Sequence, residues 1–554
     1  MSLQPQTNLS IPQMTRLVAL SAFPKGNVWI KMRDELGPLF TDEQFTDLFA
    51  PQGQPAESPW RLALVVVMQF AENLPDRQAA EAVRSRIDWK YALGLELTDP
   101  GFDYSVLCEF RTRLVEGQAE QRLFETVLSL ARQRSWLKAR GKQRTDSTHV
   151  LAAIHALNRL ENVGETLRHT LNVLAEADPD WLVATMRPEW ADRYGKRFEN
   201  YRLPREEAER KLLATTVGND GWHLLQALLA PQAPPELWQL PAVQVLRQVW
   251  LQQFVFEDGT LRWREKKEVP PASILINSPY DTEARYSIKR DIIWTGYKVH
   301  LTETCEEGSP HLITHVETTA GTQQDCDVTA DIHADLKAAD LLPSEHFVDE
   351  GYTDAPLLVE SQEKYGIDLV GPVAKDGSWQ AVAGQGFDQS AFTVDWEAQQ
   401  VICPQGKVSH LWMPEKDSFD NDVIHVKFSP SDCRACGVRS LCTHSQRGRR
   451  EIGLRPKEQY LALKEARQRQ KTEAFAERYH TRAGIEGTLS QGIHVSGMRH
   501  SRYIGQAKTH LQHVATAVAL NVLRMVAWLM EVPLAKTQKS RFTVLCSKMA
   551  ASSA

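Results

Sequence analysis

The chain has 554 residues, too many for one compact core, so three or more folded units are expected. Its 42% hydrophobic and 24% charged content is ordinary for a soluble globular protein and excludes a disordered or fibrous class. A net charge of -6 excludes a uniformly basic nucleic-acid coat but leaves room for a local basic face.

Met1 to Ser10 is polar with no apolar core behind it, which predicts no signal peptide. The eight cysteines, Cys108, Cys305, Cys326, Cys403, Cys433, Cys436, Cys442 and Cys546, then read as reduced thiols. Residues 1–50 are mixed, with a helix near Asn27–Asp34. Ser58-Pro59-Trp60 is a cap followed by Pro at the first helical position, opening an apolar helix to Leu74. Further helices are expected over Asp76–Leu93, Tyr104–Leu114 and Gln118–Arg134. Thr145, Thr148, Val150 and Ile154 are β-branched, so Lys142–Ile154 contains a strand. Helical periodicity returns over 155–265, with Trp181, Trp190, Trp222, Trp238, Trp250 and Trp263 as core bulk, and the charged, Pro-containing segment Leu261–Ser278 reads as a linker. Tyr297–Glu303 and Leu312–Thr318 alternate as strands. A helix (Thr329–Ala339) and strands at His346–Asp349 and Ile367–Val373 follow. Residues 374–450 are turn-rich, Cys-bearing and mostly β. Helices over Pro456–Arg482 and Gly505–Glu531 close the chain before a polar tail, about 536–554. The run Leu62–Phe70 is too short to cross a bilayer, and Val514–Leu534 carries Asn521, Arg524 and Glu531, so neither is expected in a membrane.

Three short acidic fragments stand out. Asp146 lies in the strand-like run Arg144–Val150, Asp349 follows the apolar Phe347-Val348, and Glu486 follows Tyr479 and Arg482 at i+7 and i+4. Each alone has a bland reading: a strand-end Asp capping a turn, or a solvated helix face. Together they suit a site for hard divalent cations, which take oxygen ligands and keep room for water and phosphate. Two such ions would activate an attacking oxygen and stabilise a leaving one. Asp325 and Asp327 rival Asp349, which ranks higher because an apolar strand precedes it. Residues 433–510 hold sixteen Lys/Arg against six Asp/Glu, a basic field around one acidic residue that suits a polyanion. The glycines beside Glu486, Gly484 and Gly487, suit close approach of a DNA backbone. Cys403, Cys433, Cys436 and Cys442, spaced C-x29-C-x2-C-x5-C, fit a structural zinc site with four thiolates, with unrelated reduced thiols or a redox pair as the other readings. No GxxxxGK[ST] loop is present, so no nucleotide cofactor is expected.

These motifs, in their order, resemble those of DDE transposases of bacterial insertion sequences. The matching stretches are Asp146-Ser147-Thr148, Gly296–His300, Asp349–Tyr352, Cys403–Gly406 with the later C-x2-C, Arg482–Glu486, Gly497–Arg499 and Arg502–Gly505, and the likeness covers about residues 58–530. The resemblance implies an α/β, RNase H-like mixed sheet flanked by helices, assembled from 140–154, 280–373 and 456–531. A helical N-terminal domain (1–135) would be either plain scaffold or a head that binds DNA ends, and a helical insertion (155–270) and a Cys-rich β insertion (374–450) would interrupt the core. It implies metal-dependent cleavage at element ends and strand transfer, with Asp146, Asp349 and Glu486 holding two Mg²⁺ or Mn²⁺. Tyr479, Arg482, His494, Arg499, Arg502 and Lys508 would contact DNA. One departure is Ile493, where relatives often carry Lys; His494, Arg499 or Arg502 would take over its phosphate contact. The implied partners are double-stranded DNA (ends and target) and a second copy on DNA, in a bacterial cytoplasm at the nucleoid. The other readings are a metal-dependent nuclease without strand transfer, and an inactive transposase-derived DNA-binding protein.

Overall fold

The computed structural model describes residues 2–533 except Thr7, Asn8, Arg290 and Phe419, together with 541, 542 and 545; most of the expected tail, and Cys546, lie outside the described residues. The chain opens with helices α1 (Gln13–Ala22), α2 (Val28–Leu36), α3 (Pro59–Ala71), α4 (Asp76–Ser85), α5 (Ile87–Leu93), α6 (Ser105–Glu116) and α7 (Glu120–Gln133). Helix α1 has no counterpart among the expected elements. The Asn27 side chain caps α2 by accepting from the Trp29 and Ile30 amides. At Ser58 the expected side-chain cap is replaced by a longer link: the hydroxyl donates to Asp42 Oδ2 at 2.8 Å, and Asp42 Oδ1 accepts the Trp60 amide at 3.0 Å. The expected helix over Asp76–Leu93 breaks at Arg86, which takes an extended conformation between α4 and α5.

Strand β1 (Lys142–Leu151) follows, then α8 (Arg159–Ala177), α9 (Pro179–Thr185), α10 (Glu189–Tyr194), α11 (Glu207–Leu228), α12 (Pro235–Trp238) and α13 (Pro241–Gln253). These helices enclose their own apolar core around Leu167, Val217, Leu224, Leu246 and Trp250. Residues expected to continue it as helix instead form a hairpin, β2 (Phe254–Glu257) and β3 (Thr260–Trp263). Asp258 and Gly259 form its turn, both at positive φ, as a two-residue hairpin loop requires.

The main sheet has six strands: β1, β4 (Arg285–Lys289), β5 (Ile292–Thr304), β6 (Ile313–Ala320), β7 (Glu345–Phe347) and β8 (Asp368–Val370). Their order is β4-β5-β1-β7-β8, with β6 also paired to β5; β1 runs antiparallel to β5 and parallel to β7. Helices α14 (Cys326–Ala338) and α15 (Ala355–Tyr365) sit among these strands in sequence. This is an α/β fold with an RNase H-like core.

The Cys-rich stretch holds α16 (Trp379–Ala383), β9 (Thr393–Asp395), β10 (Gln400–Ile402), β11 (Leu411–Lys416), β12 (Asp422–Lys427), α17 (Pro430–Arg434) and β13 (Glu451–Leu454). It has a small core of Phe392, Val401, Val426, Phe428, Ile452 and Leu454. The chain returns through α18 (Lys457–Arg469), α19 (Glu473–Tyr479), α20 (Gly484–Ser496) and α21 (Gln506–Leu529). The single helix expected over Pro456–Arg482 is split because Thr472 caps a new one, its hydroxyl accepting the Phe475 amide at 3.2 Å. Helix α21 packs on α3, α7 and β6. Its face from Leu511 to Val522 is buried in one apolar core shared by the N-terminal helices and the sheet. Among the described residues, no helix is long and apolar enough to cross a membrane.

Candidate active site

Strand β1 puts Asp146 in mid-sheet, not at a strand end, with Leu301 as its antiparallel neighbour. Asp349 leaves β7 and opens a 3-10 turn, its Oδ1 accepting the Gly351 amide at 2.9 Å. Glu486 stands in the first turn of α20. These three carboxylates, from segments 203 and 137 residues apart, converge on one guanidinium. Arg482 Nη2 donates to Asp146 Oδ2 at 2.6 Å and lies 4.0 Å from Asp349 Oδ2, while Nη1 donates to Glu486 Oε1 at 3.3 Å. Exposure rises across the set: the side chains of Asp146, Asp349 and Glu486 are 12%, 31% and 66% accessible, so the cluster opens to solvent on the Glu486 side.

Burial dominates Asp146 and raises its pKa to about 6, although Arg482 and the Ser147 amide both favour the carboxylate. Burial works against the Arg482 charge too, but Asp146, Tyr479, Asp349 and Glu486 outweigh it and hold the guanidinium above its usual range. One cation thus stands in among three oxygen-donor side chains. That donor set, carboxylate only, fits a hard divalent ion.

The motifs around the carboxylates each have a structural reason. Gly296 is at positive φ, and a Cβ there would run into the Val150 carbonyl where β5 crosses β1. Tyr297 Oη donates to Asp281 Oδ1 at 2.7 Å. Lys298 Nζ donates to Asp325 Oδ1 at 2.9 Å, and Lys289 Nζ reaches Asp325 Oδ2 at 3.4 Å. His300 Nδ1 meets Tyr352 Oη at 2.6 Å. Asp325 is therefore a buried carboxylate matched by two ammonium groups. Its pKa falls below the usual range because Lys298, His300 and Lys289 offset the cost of burial. Asp349 has no such partner beyond Arg482 in this set.

Of the two glycines beside Glu486, Gly484 serves a different purpose from the one expected. A Cβ on Gly484 would collide with the Arg144 guanidinium, so protein and not DNA fills that space; Gly487 faces open space.

Comparison with known proteins adds two matches. The family described as Transposase DDE domain matches residues 402–526, and the Transposase domain (DUF772) matches residues 18–113. Over these two stretches the chain is similar to DDE transposases of the insertion-sequence type. The first match contains Glu486 and all four grouped cysteines, and the second covers much of the N-terminal helical region. No curated protein and no solved structure matches the chain.

The remaining expected contacts are dispersed over the chain. Tyr479 ends α19 with its ring stacked on Phe475 (centroids 5.4 Å apart), beside Cys305, Phe347 and Val370. Burial first, then the nearby carboxylates, push its phenol up to about 12, and Arg482 opposes this. Arg499 donates to Thr148 Oγ1 at 3.2 Å, close along β1 to Asp146. His494 is exposed on α20. Ile493 packs partly on the main core, so that position is apolar for a packing reason. Arg502 is committed elsewhere: it donates to the Leu74 carbonyl at 2.8 Å and to Asn73, and lies 4.7 Å over the Phe70 ring. Lys508 is exposed beside Cys108, Arg111 and Tyr503.

Cys403, Cys433, Cys436 and Cys442 all line one cavity of about 410 Å³. Burial, then the other three sulfurs, raise the Cys442 thiol, while Arg450 opposes them. Soft sulfur donors gathered this way fit zinc in kind. Among the described residues, the one His/Cys/Asp/Glu trio whose ligand atoms all lie within 4.8 Å is a different one: His315, Glu317 and Asp335. Its His315 Nε2 already meets Asp335 Oδ2 at 3.0 Å. Sequence reasoning did not find that trio, because its members lie on β6 and α14 with no motif to link them.

Proposed function

We propose that this chain is a DDE transposase, which cuts DNA at the ends of its element and joins the freed 3′ ends to target DNA. The observation that carries the reading is the convergence of Asp146, Asp349 and Glu486 on Arg482. Those three carboxylates would hold two Mg²⁺ or Mn²⁺ ions, which when bound acidify the attacking water or 3′-OH and stabilise the leaving oxygen. Asp146, buried in mid-sheet, gives the site its fixed wall. Glu486, on the open side, meets the entering phosphodiester. Arg482 offsets part of the carboxylates' charge in the free protein and offers a bidentate fork to phosphate, a geometry that Lys lacks. Tyr479 is neutral at physiological pH and offers its hydroxyl as a donor beside them. Arg499, near the end of β1, and exposed His494 extend the contact along the strand. Phosphate contacts position DNA without reading its sequence, so end recognition belongs elsewhere, and the N-terminal helices are the region we assign to it. Joining two ends in one event calls for two copies on the DNA. The four grouped cysteines would hold a structural zinc away from the chemistry.

The products decide among the readings. Purified protein, DNA carrying the element's terminal repeats, a target plasmid and Mg²⁺ should yield cut ends and joined end–target molecules. Cut ends without joining would favour a nuclease. Tight binding without cutting would favour a DNA-binding descendant.

A further inference from the structure

Beneath the carboxylates lies a buried charged network that the reading above does not use. Glu303, on β5, is fully buried. Its Oε1 accepts from Arg144 Nε at 2.7 Å, and its Oε2 accepts from Arg524 Nη1 at 2.8 Å and from the Thr488 hydroxyl. Burial opposes its charge, but Arg524 and Arg144 together hold the carboxyl below its usual range. Both guanidiniums continue into the segment that carries Glu486. Arg144 Nη1 donates to the Thr481 carbonyl at 2.7 Å, on the turn that bears Arg482. Arg524 Nη2 donates to Thr488 Oγ1 at 2.7 Å and to Gln491 Oε1 at 3.0 Å.

The placement is specific. Arg144 and Asp146 are two residues apart on β1, so they project from the same face of the sheet. Arg144 pairs across the sheet with Glu303, as Asp146 pairs with Leu301. Thr481 and Gly484 precede Glu486, and Thr488 and Gln491 follow it, so the network grips the segment on both sides of the residue. Gly484 is the point of closest approach, where a side chain would displace the Arg144 guanidinium.

We propose that Arg144, Glu303 and Arg524 form a positioning lock, with Gly484 as its keyhole, that fixes Glu486 and Arg482 relative to Asp146 and so sets the spacing on which cation binding depends. These are positioning residues: none is placed among the three converging carboxylates. The inference rests on the triad reading of the site.

The test uses the full-length protein and counts bound Mn²⁺ by electron paramagnetic resonance, alongside Mn²⁺-dependent cleavage, repeat-DNA binding and thermal unfolding. Gly484→Ala and Arg524→Gln should keep repeat-DNA affinity near wild type while weakening Mn²⁺ binding about tenfold or more, the range seen when groups that orient ligands are lost. Excess Mn²⁺ should recover part of their cleavage, and Arg524→Lys, which keeps the charge, should fall between Arg524→Gln and wild type. Glu303→Gln should behave likewise; if it does not fold, Gly484→Ala at the rim carries the test alone. Unchanged Mn²⁺ affinity in the variants, with only a lower unfolding temperature, would reduce the network to a structural one and overturn the proposal. Glu486→Ala in the same assay separates the two claims: if it binds Mn²⁺ and cuts like wild type, the triad reading has failed, whereas if it is impaired and the lock variants are not, the lock has failed.

Discussion

Asp146 offers the sharpest prediction about stability, because its burial and its charge conflict. Its pKa of about 6 stands about two pH units above the ordinary 3.8, which corresponds to ~3 kcal/mol. The sign follows from proton counting. Between about pH 4 and 6 the folded protein binds more protons at this group than the unfolded chain does, so stability falls as pH rises through that window. Below it the carboxyl is neutral in both states and costs nothing; above it the full penalty remains. Asp146→Asn removes the titration while keeping an oxygen for Arg482. The ~3 kcal/mol penalty is already net of the attraction to Arg482, which a neutral acceptor forgoes. The variant should therefore be more stable than wild type by about 3 kcal/mol at pH 8, roughly 6–12 °C in a cooperative unit of 150–250 residues, and should lose most of that advantage near pH 4. The assay is thermal unfolding of both proteins at pH 4 and pH 8 with metal removed. Adding Mg²⁺ at pH 8 should then raise the wild type and not the variant, by about 2.7 kcal/mol at a hundred times its dissociation constant. A variant less stable than wild type by the same amount at both pH values would refute the reasoning, for it would make the Asp146–Arg482 pair a net stabiliser.

Other outcomes follow from the same geometry. Asp325→Ala should leave Mg²⁺-dependent cleavage within about tenfold of wild type but lower stability by about 3 kcal/mol, since it strands the buried Lys298 ammonium; cleavage lost as completely as in Asp349→Ala would make Asp325 a ligand. Arg482→Lys should fold and bind repeat DNA yet cut ~100-fold more slowly, because a point charge cannot reproduce the fork that spans Asp146 and Glu486; wild-type cleavage would remove Arg482 from the site. Elemental analysis should find about one zinc per chain, lost in Cys433→Ser and Cys436→Ser, and a value much below one for the wild type would end the zinc reading.

The strand settings of Asp146 and Asp349 were legible in sequence because they are local. β-branched residues around Asp146 and the apolar pair before Asp349 write a strand in the immediate neighbourhood. The G-Y-K-V-H stretch was legible as a strand, but not the tasks of its side chains, since Asp325 and Tyr352 are supplied from outside the strand. The hairpin at 254–263 did carry a local signal, Asp258-Gly259, that the tryptophan-rich helical pattern masked. Glu303 carried none. An acidic residue in an alternating strand reads as solvent-facing, and its partners lie 159 and 221 residues away in Arg144 and Arg524. Gly484 was misread for the same reason: the side chain that needs its space comes from β1. Arg502, expected on phosphate, has its guanidinium on the loop after α3.

The central claim is that Glu486 completes a nuclease site with Asp146 and Asp349. It is tested most directly by Mg²⁺-dependent cleavage of DNA carrying the terminal repeats, wild type against Glu486→Ala, with binding measured in parallel. The account predicts that the variant binds the repeats as wild type does and cuts them no faster than background. Equal cleavage by both proteins would contradict it.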